Sequence, residues 1–351
     1  MAIVRAMTFF IPLEKWSSPD FQKYEEYINK SLDIVSETHI SPWTIRLVLP
    51  PVETKIGLEK YRNIVLELYD RRPSKDLMLH AAAIPSDSKI IDGVMDILSE
   101  TNRLFSTILI RDSTHINRLV DKIYMYEGDY SLFTRISMTH LKWLQTPYFP
   151  STTNVDNIFG FALALRYVDL FDNYLSGSQS VIDYLEDIRG MIEGYEKEFY
   201  GIDLSLSPWM EESVAELVEK HFNTVIGEPG SYQGVYRINN AVSKLASETS
   251  VPTLGFNEIM LAVGEDNLLM KRVEEGTLRL GVLEGLANVC ISGLDMVAIE
   301  RDKRLLIKTL EDMDYIAKRK GVTIGTRLIP VEPGRDKVDV QRFGVIPVIK
   351  V

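Results

Sequence analysis

The amino-acid sequence predicts an α/β barrel. Two observations carry the prediction. Strand-like and helix-like segments alternate over most of the chain, and charged residues interrupt strands that are otherwise apolar. Alternating elements with short connections place parallel strands side by side with helices packed outside them. Strands covered on both faces would read as nearly continuous Val, Ile and Leu. These do not, so one face of the sheet meets something polar.

The elements follow in order. VRAMTFFIP reads as a strand, rich in β-branched and aromatic residues, and residues 20 to 36 read as a helix. WTIRLVLPP is a second strand closed by Pro50 and Pro51, followed by the helix GLEKYRNIVLELYDRR. DLMLHAAAIP, LFSTILI and LFTRISM are the third, fourth and fifth strands, separated by helical segments. Residues 139 to 200 read as almost wholly helical, interrupted by the loop TPYFPSTTN. The rhythm resumes with the strand GIDLSLSP, a helix over 210 to 221, the glycine-rich loop GEPGSYQG and a helix over 235 to 247. After GFNEIMLAVGED come a helical stretch over 267 to 287 and the strand VCISGLDMVAI. KRLLIKTLEDMDYIAKRKG is an amphipathic helix stopped by Gly321, and VTIGTRLIPV and GVIPVIKV finish the chain. The expectation is one domain over 1–351: a first half over 1–138, a helical insertion over 139–200 and a second half over 201–351, with about five strands in each half.

Composition narrows the function classes. The 351 residues carry a net charge of −11, which opposes binding to phosphate backbones and to anionic membranes. No apolar run reaches the ~18 residues of a spanning helix. Arg5 breaks the N-terminal apolar stretch, and no small-residue cleavage site follows it, so a signal peptide is not expected. One cysteine makes no internal disulfide and points to the cytoplasm. A homo-oligomer is the default for such a chain.

Side chains alternate across a strand, so polar stripes can be read directly. Arg5, Arg46, Arg135, Asp203, Asp295 and Arg327 each sit within a strand-like segment. Unpaired charges there cost several kcal/mol even after relaxation, on the order given for buried ions. The lumen of the barrel therefore holds either an internal ion-pair network or a ligand site. Guanidinium groups suit carboxylate or phosphate ligands.

Other candidates are weaker. Glu265 and Asp266 follow the apolar run IMLAVG and can hold a divalent metal or serve as acid and base. Capping of the next helix is the competing reading, preferred for Asp266. His39, His80, His115, His140 and His221 form no metal-ligand spacing, and His80 reads as a satisfied core residue. GEPGSYQG lacks the Gly-Lys-Ser/Thr ending of a phosphate loop and reads as a mobile loop. Cys290 is read either as a small buried hydrophobe or as a reactive group.

Several motifs carry a family resemblance. GIDLSLSP, GFNEIMLAVGED, NVCISGLDMVAIERD and TRLIPVEPG, in this order, resemble the motifs GVDxSLxP, GFSGLMLPVLED, AVCGTGLDTVPLPGD and RLMPVPG of domain-of-unknown-function family 711. TIRLVLPP, TPYFPSTTN and IFGFALAL are similar to its upstream pattern, so the resemblance runs nearly end to end. It implies a ten-stranded α/β barrel like that of pyruvate formate-lyase and anaerobic ribonucleotide reductase, built from two five-stranded halves. In those enzymes a cysteine on a loop inside the barrel carries a radical, and the corresponding residue is Cys290. No activity is established for the family.

The chain departs from the pattern at Cys290-Ile291-Ser292-Gly293, which loses one glycine, at AIERD, and at GFNEI, which places Asn257 and Glu258 where Ser and Gly are usual. RFGVIP, around Gly344, does not match the glycine loop of a glycyl-radical enzyme, so a glycyl radical is not expected. The resulting expectation is a small anionic ligand held by Arg46 and Arg327 with Asn257 and Ser205. Cys290, Asp203 and Asp295 are the catalytic candidates, and Glu265 and Asp266 the metal candidates. The alternative is a non-catalytic descendant that binds a metabolite or a protein.

Overall fold

A computed structural model of the chain describes residues 3–53, 55–249 and 251–351. The expected first strand, VRAMTFFIP, lies within these residues. In the first half, strands and helices alternate as the sequence predicts. β1 (Ile3–Phe10) leads to α1 (Phe21–Glu37), and β2 (Thr44–Val48) to α2 (Leu58–Asp70). β3 (Met78–Pro85) leads to α3 (Val94–Ser99), β4 (Leu104–Ile110) to α4 (Ile116–Met125), and β5 (Ile136–His140) closes the run. Local chemistry marks the helix starts. Lys23 N donates to the Asp20 carboxylate at 3.0 Å to begin α1, satisfying a backbone donor that the first turn leaves open.

The expected helical insertion is not one. Residues 139–200 contain β6 (Gly160–Arg166), which pairs antiparallel with β1, followed by α5 (Val168–Leu175) and α6 (Ser180–Met191). GFALALR is buried along almost all its length, so its apolar residues show no period-2 alternation and read equally as helix. β7 (Phe199–Asp203) then pairs parallel with β6.

Next come α7 (Val214–Phe222), α8 (Ser231–Thr249), α9 (Asn267–Glu274) and α10 (Leu280–Leu286). GEPGSYQG is thus half helix, since α8 starts at Ser231, and the stretch 267–287 is two helices rather than one. β8 (Leu294–Glu300), α11 (Lys303–Lys320), β9 (Ile324–Val331), β10 (Lys337–Asp339) and β11 (Val345–Pro347) complete the chain. Leu305 N donates to Asp302 at 2.7 Å to cap α11, and Gly321 ends it at φ 72°, a left-handed position that suits glycine.

Nine strands form one mixed sheet in the order β7-β6-β1-β2-β3-β4-β5-β9-β8. Pairing is parallel within β1 to β5, between β6 and β7, and between β8 and β9. It is antiparallel at β1–β6 and β5–β9, where the two halves of the chain meet. Beyond the edge strands, the segment 253–262 makes single parallel bridges: Thr253 with Ile202, Ile259 with Leu206, and Ala262 with Asp295.

The outer face of the sheet packs its large apolar residues, Met7, Phe9, Leu47 and Leu163 among them, into the main core with the helices. The inner face carries smaller residues. Ala6 and Ala164 pack on Tyr148, Phe256 and Met260, while Ala162, Phe10 and Val48 pack on Phe149 and Leu254. These alanines leave space for the loop TPYFPSTTN to enter. Thr8 Oγ1 donates to the Pro147 carbonyl at 2.9 Å and Thr153 Oγ1 to the Leu49 carbonyl at 3.1 Å, fixing the loop against the strands. Among the described residues no helix is long and apolar enough to cross a membrane.

Candidate functional site

A cavity of about 630 Å³ lies against the inner face of the sheet. Arg5 on β1, Arg46 on β2, Asp295 on β8 and Arg327 on β9 all line it, together with Glu265. Period-2 alternation puts Arg46 and Arg327 on the strand face opposite the helices; Arg5, whose parity matches Met7 and Phe9, reaches that face through the irregularity in β1 between Val4 and Ala6.

Glu265 is the hub of the ion pairs. It accepts from Arg5 at 2.5 Å through one oxygen and from Arg327 at 2.8 Å through the other. Arg5 also donates to the Pro208 carbonyl at 2.8 Å. Arg327 grips Asp295 through two parallel bonds of 2.7 and 3.0 Å, the fork geometry that a guanidinium favours. Burial works against the charge on Glu265, but Arg5 and Arg327 outweigh it and hold the carboxyl below its usual range. Burial also opposes the charge on Arg327, and its two carboxylates overcome that in turn. Burial pushes Asp295 up despite Arg327.

Arg46 differs from its neighbours. It is 8% exposed and has no carboxylate partner among the described residues. Its Nε donates to Thr44 Oγ1 at 3.0 Å and one terminal nitrogen to the Pro147 carbonyl at 2.9 Å. A guanidinium has five N–H donors, so most of its capacity faces the cavity. Burial lowers its pKa to about 9, and the positive charges of Arg5 and Arg342 push the same way. It remains a cation at neutral pH. Its guanidinium lies 5.1 Å from the ring centre of Phe149.

The remaining expected site residues do different work. Asp203 is buried and takes no part in the cavity. Its carboxylate accepts from Thr146 Oγ1 (2.7 Å), Ser205 Oγ (2.6 Å) and the backbone N–H groups of Ser205, Phe256 and Asn257 (3.1, 2.9 and 3.0 Å). Five donors leave it no free valence for catalysis; it fastens the segment 253–262 to β7. Gly255 is required beside it, since a Cβ there would lie 2.0 Å from an Asp203 oxygen.

Ser205 is therefore committed to Asp203. Asn257 accepts from Leu204 N at 2.9 Å and donates to the Leu254 carbonyl at 3.1 Å. Neither lines the cavity. Ser207, two residues further on, does line the cavity.

The metal reading of Glu265 and Asp266 fails for a similar reason. Glu265 turns to two arginines. Asp266 turns the other way and accepts from Val214 and Ala215 N (2.9 and 3.4 Å) and from Leu268 and Leu269 N (2.9 and 3.1 Å). It caps α7 and α9 together. Among the described residues no three His, Cys, Asp or Glu side chains are arranged to hold a metal ion.

Cys290 lies in the turn before β8, not in the strand, and is 1% exposed. Its thiol donates to the Ile259 carbonyl at 3.0 Å and lies 3.1 Å from Ser292 Oγ. Burial pushes the thiol up, and the Glu258 carboxylate adds to this, the opposite of what a nucleophile needs. Ser292, not Cys290, reaches the cavity wall. A thiol reagent at neutral pH is expected to leave the native protein unlabelled and to modify Cys290 fully in denaturant. Stoichiometric labelling of the folded protein within minutes would contradict this placement.

His80 is in the core but is not satisfied. Its ring nitrogens find no hydrogen-bond partner of good geometry among the described residues, and burial lowers its pKa to about 3. The ring packs edge-on against Phe149 at 5.5 Å.

Sequence reasoning missed Arg103 and Arg342 and the aromatic wall of Phe105, Tyr148, Phe149 and Phe256. Arg342 sits between β10 and β11 in a short irregular turn with no periodicity to flag it.

Residues 186–343 match the model of a family described as Uncharacterised ACR (DUF711). A UPF0210 protein of Halothermothrix orenii is 33% identical over 147 residues, 41% of this chain and 32% of that protein. A UPF0210 protein of Methanococcoides burtonii is 34% identical over 162 residues, 44% of this chain and 36% of that protein. One from Limosilactobacillus reuteri is 32% identical over 151 residues, 42% and 34% of the two chains. The matched segment spans about a third of the length of these relatives. The family match is narrower than the motif resemblance, since TIRLVLPP, TPYFPSTTN and IFGFALAL fall before residue 186. Residues 186–343, which carry GIDLSLSP and the three motifs after it, are similar to this uncharacterised conserved family.

Proposed function

We propose that the chain is a single-domain, ten-stranded barrel of the pyruvate formate-lyase type whose lumen binds a small anionic metabolite. The tenth staves of the ring would be residues 253–262. In favour of closure, this segment bridges β7 at Thr253 and the chain just past β7 at Ile259, which meets Leu206, and bridges β8 on the other side at Ala262. β7 and β8 are the two edges of the nine-stranded sheet, so a segment touching both joins the ends.

One observation carries the ligand reading: Arg46 is a buried cation with no carboxylate partner among the described residues, beside a cavity of about 630 Å³. A volume of this size is in the usual range for small-molecule sites, about 300–1,000 Å³. Arg5, Glu265, Arg327 and Asp295 form the internal ion network that the sequence also allowed. That network neutralises itself and frames the site, leaving Arg46 to meet an anion. Binding rather than covalent chemistry is favoured, because Cys290 has a raised thiol pKa and Asp203 is fully bonded. If the site is catalytic, Asp295 is the group placed for proton transfer.

The test is thermal unfolding with a panel of small carboxylates and phosphates. A ligand at 100 times its Kd adds about 2.7 kcal/mol to stability. At least one anion is expected to raise the Tm, with the rise abolished in Arg46→Gln. A panel without effect, or shifts equal in Arg46→Gln, would overturn the reading.

A further inference from the structure

The cavity lining is charged more strongly than a monocarboxylate requires. Six arginines, Arg5, Arg46, Arg103, Arg135, Arg327 and Arg342, face three carboxylates, Asp129, Glu265 and Asp295. Arg5 and Arg327 are committed to Glu265 and Asp295. The remaining positive charge is not scattered. Arg342 is drawn by Glu265 and, against that, feels the positive charge of Arg103, Arg5 and Arg327, and Arg46 feels Arg342. Among the described residues Arg103 has a carboxylate neighbour only in the exposed Asp76, at 3.9 Å. Arg46, Arg103 and Arg342 thus line one cavity with Arg342 repelling the other two, a repulsion that Glu265 offsets only through the ion pairs it already makes with Arg5 and Arg327. An anion with two charges and several acceptor oxygens relieves that repulsion; a single carboxylate relieves only part of it.

The rest of the wall is apolar. Phe105 and Phe149 pack with ring centres 5.0 Å apart, and Phe149 carries Arg46 on its face. Phe256 and Tyr148 line the same cavity. The volume exceeds what a lone inorganic anion fills, since one water occupies about 30 Å³ of liquid. A ligand with a charged head only would leave these rings wet.

We propose that the ligand is a phosphomonoester with an apolar or aromatic body, its phosphate among Arg46, Arg103 and Arg342 and its body against Phe105 and Phe149. This rests on the anion-binding reading above and adds the charge of the head and the nature of the tail. Three arginines match the three terminal oxygens of a phosphate through paired N–H donors. The second ionisation of a phosphate monoester lies near pH 6, on the order of the value for phosphorylated side chains, so the dianion exists at neutral pH.

Calorimetric titration with phenyl phosphate, inorganic phosphate and benzoate at fixed ionic strength tests this. Phenyl phosphate is expected to bind at least tenfold more tightly than either of the others and to weaken as pH falls through about 6. Arg46→Gln and Arg342→Gln are each expected to weaken it at least tenfold; Arg342, at the exposed mouth, gives a variant whose folding is not in question. Benzoate binding as tightly as phenyl phosphate, with no loss near pH 6, overturns the phosphate head and leaves the anion cavity standing. Inorganic phosphate binding as tightly overturns the apolar body. No binding of any of the three overturns both readings.

Discussion

Replacing Glu265 by Gln is expected to cost about 3–5 kcal/mol of folding stability, the range for breaking a buried ion pair from one side. The carboxylate holds two buried guanidinium groups at once, Arg5 at 2.5 Å and Arg327 at 2.8 Å. An amide offers one acceptor oxygen and turns its NH₂ group toward the other arginine. Arg327 keeps Asp295, but Arg5 is then a buried cation without a full carboxylate partner. Urea unfolding would show the midpoint falling with the slope unchanged. The loss depends on pH in a defined direction. Glu265 has a folded pKa below its ordinary value near 4.5. Its contribution is therefore complete above about pH 4.5 and is lost as pH falls through the folded value. The gap between wild type and Glu265→Gln is expected to close in that acid range. A variant as stable as wild type at pH 7 would show that Glu265 is not the centre of the network.

Asp203→Asn is expected to cost at least about 3 kcal/mol, because several buried donors lose their acceptor at once and each unsatisfied group costs about 1–3 kcal/mol. The change is nearly isosteric, so the loss is one of hydrogen bonding rather than volume. Each Asp203 oxygen receives a hydroxyl and at least one backbone N–H. An amide nitrogen in either place meets donors with donors. Thr146→Val and Ser205→Ala each remove a single donor and should cost only about 1 kcal/mol. The ranking separates a hub from an ordinary hydrogen bond. Asp203→Asn at wild-type stability, measured by chemical denaturation, would contradict the assignment.

The sequence made some of this architecture legible and hid the rest for physical reasons. The alternation of helices and strands, and Arg46 and Arg327 as polar interruptions of one strand face, could be read because a strand repeats every two residues; Arg5 and Asp295 stand beside strand irregularities that the repeat does not report. β6 could not, because a strand buried on both faces loses that alternation and looks like a buried helix. Asp203 and Asp295 look alike in sequence, each interrupting an apolar strand. Their fates differ because Phe256 and Asn257, more than fifty residues away, supply donors to Asp203, while Asp295 meets Arg327 at the cavity. Glu265 and Asp266 are neighbours whose side chains point oppositely, one to guanidinium groups and one to two helix starts. Backbone direction at a turn decides that, and no spacing rule reports it. Arg342 reaches the cavity from a short turn between β10 and β11, where position depends wholly on tertiary packing.

The most direct measurement is crystallographic. A crystal soaked with selenate, whose anomalous signal locates it without reference to any model of the ligand, should show a peak within hydrogen-bonding distance of Arg46. Peaks confined to the outer surface at saturating selenate, with Arg46 turned onto a protein carboxylate, would contradict the claim that this cavity exists to receive an anion.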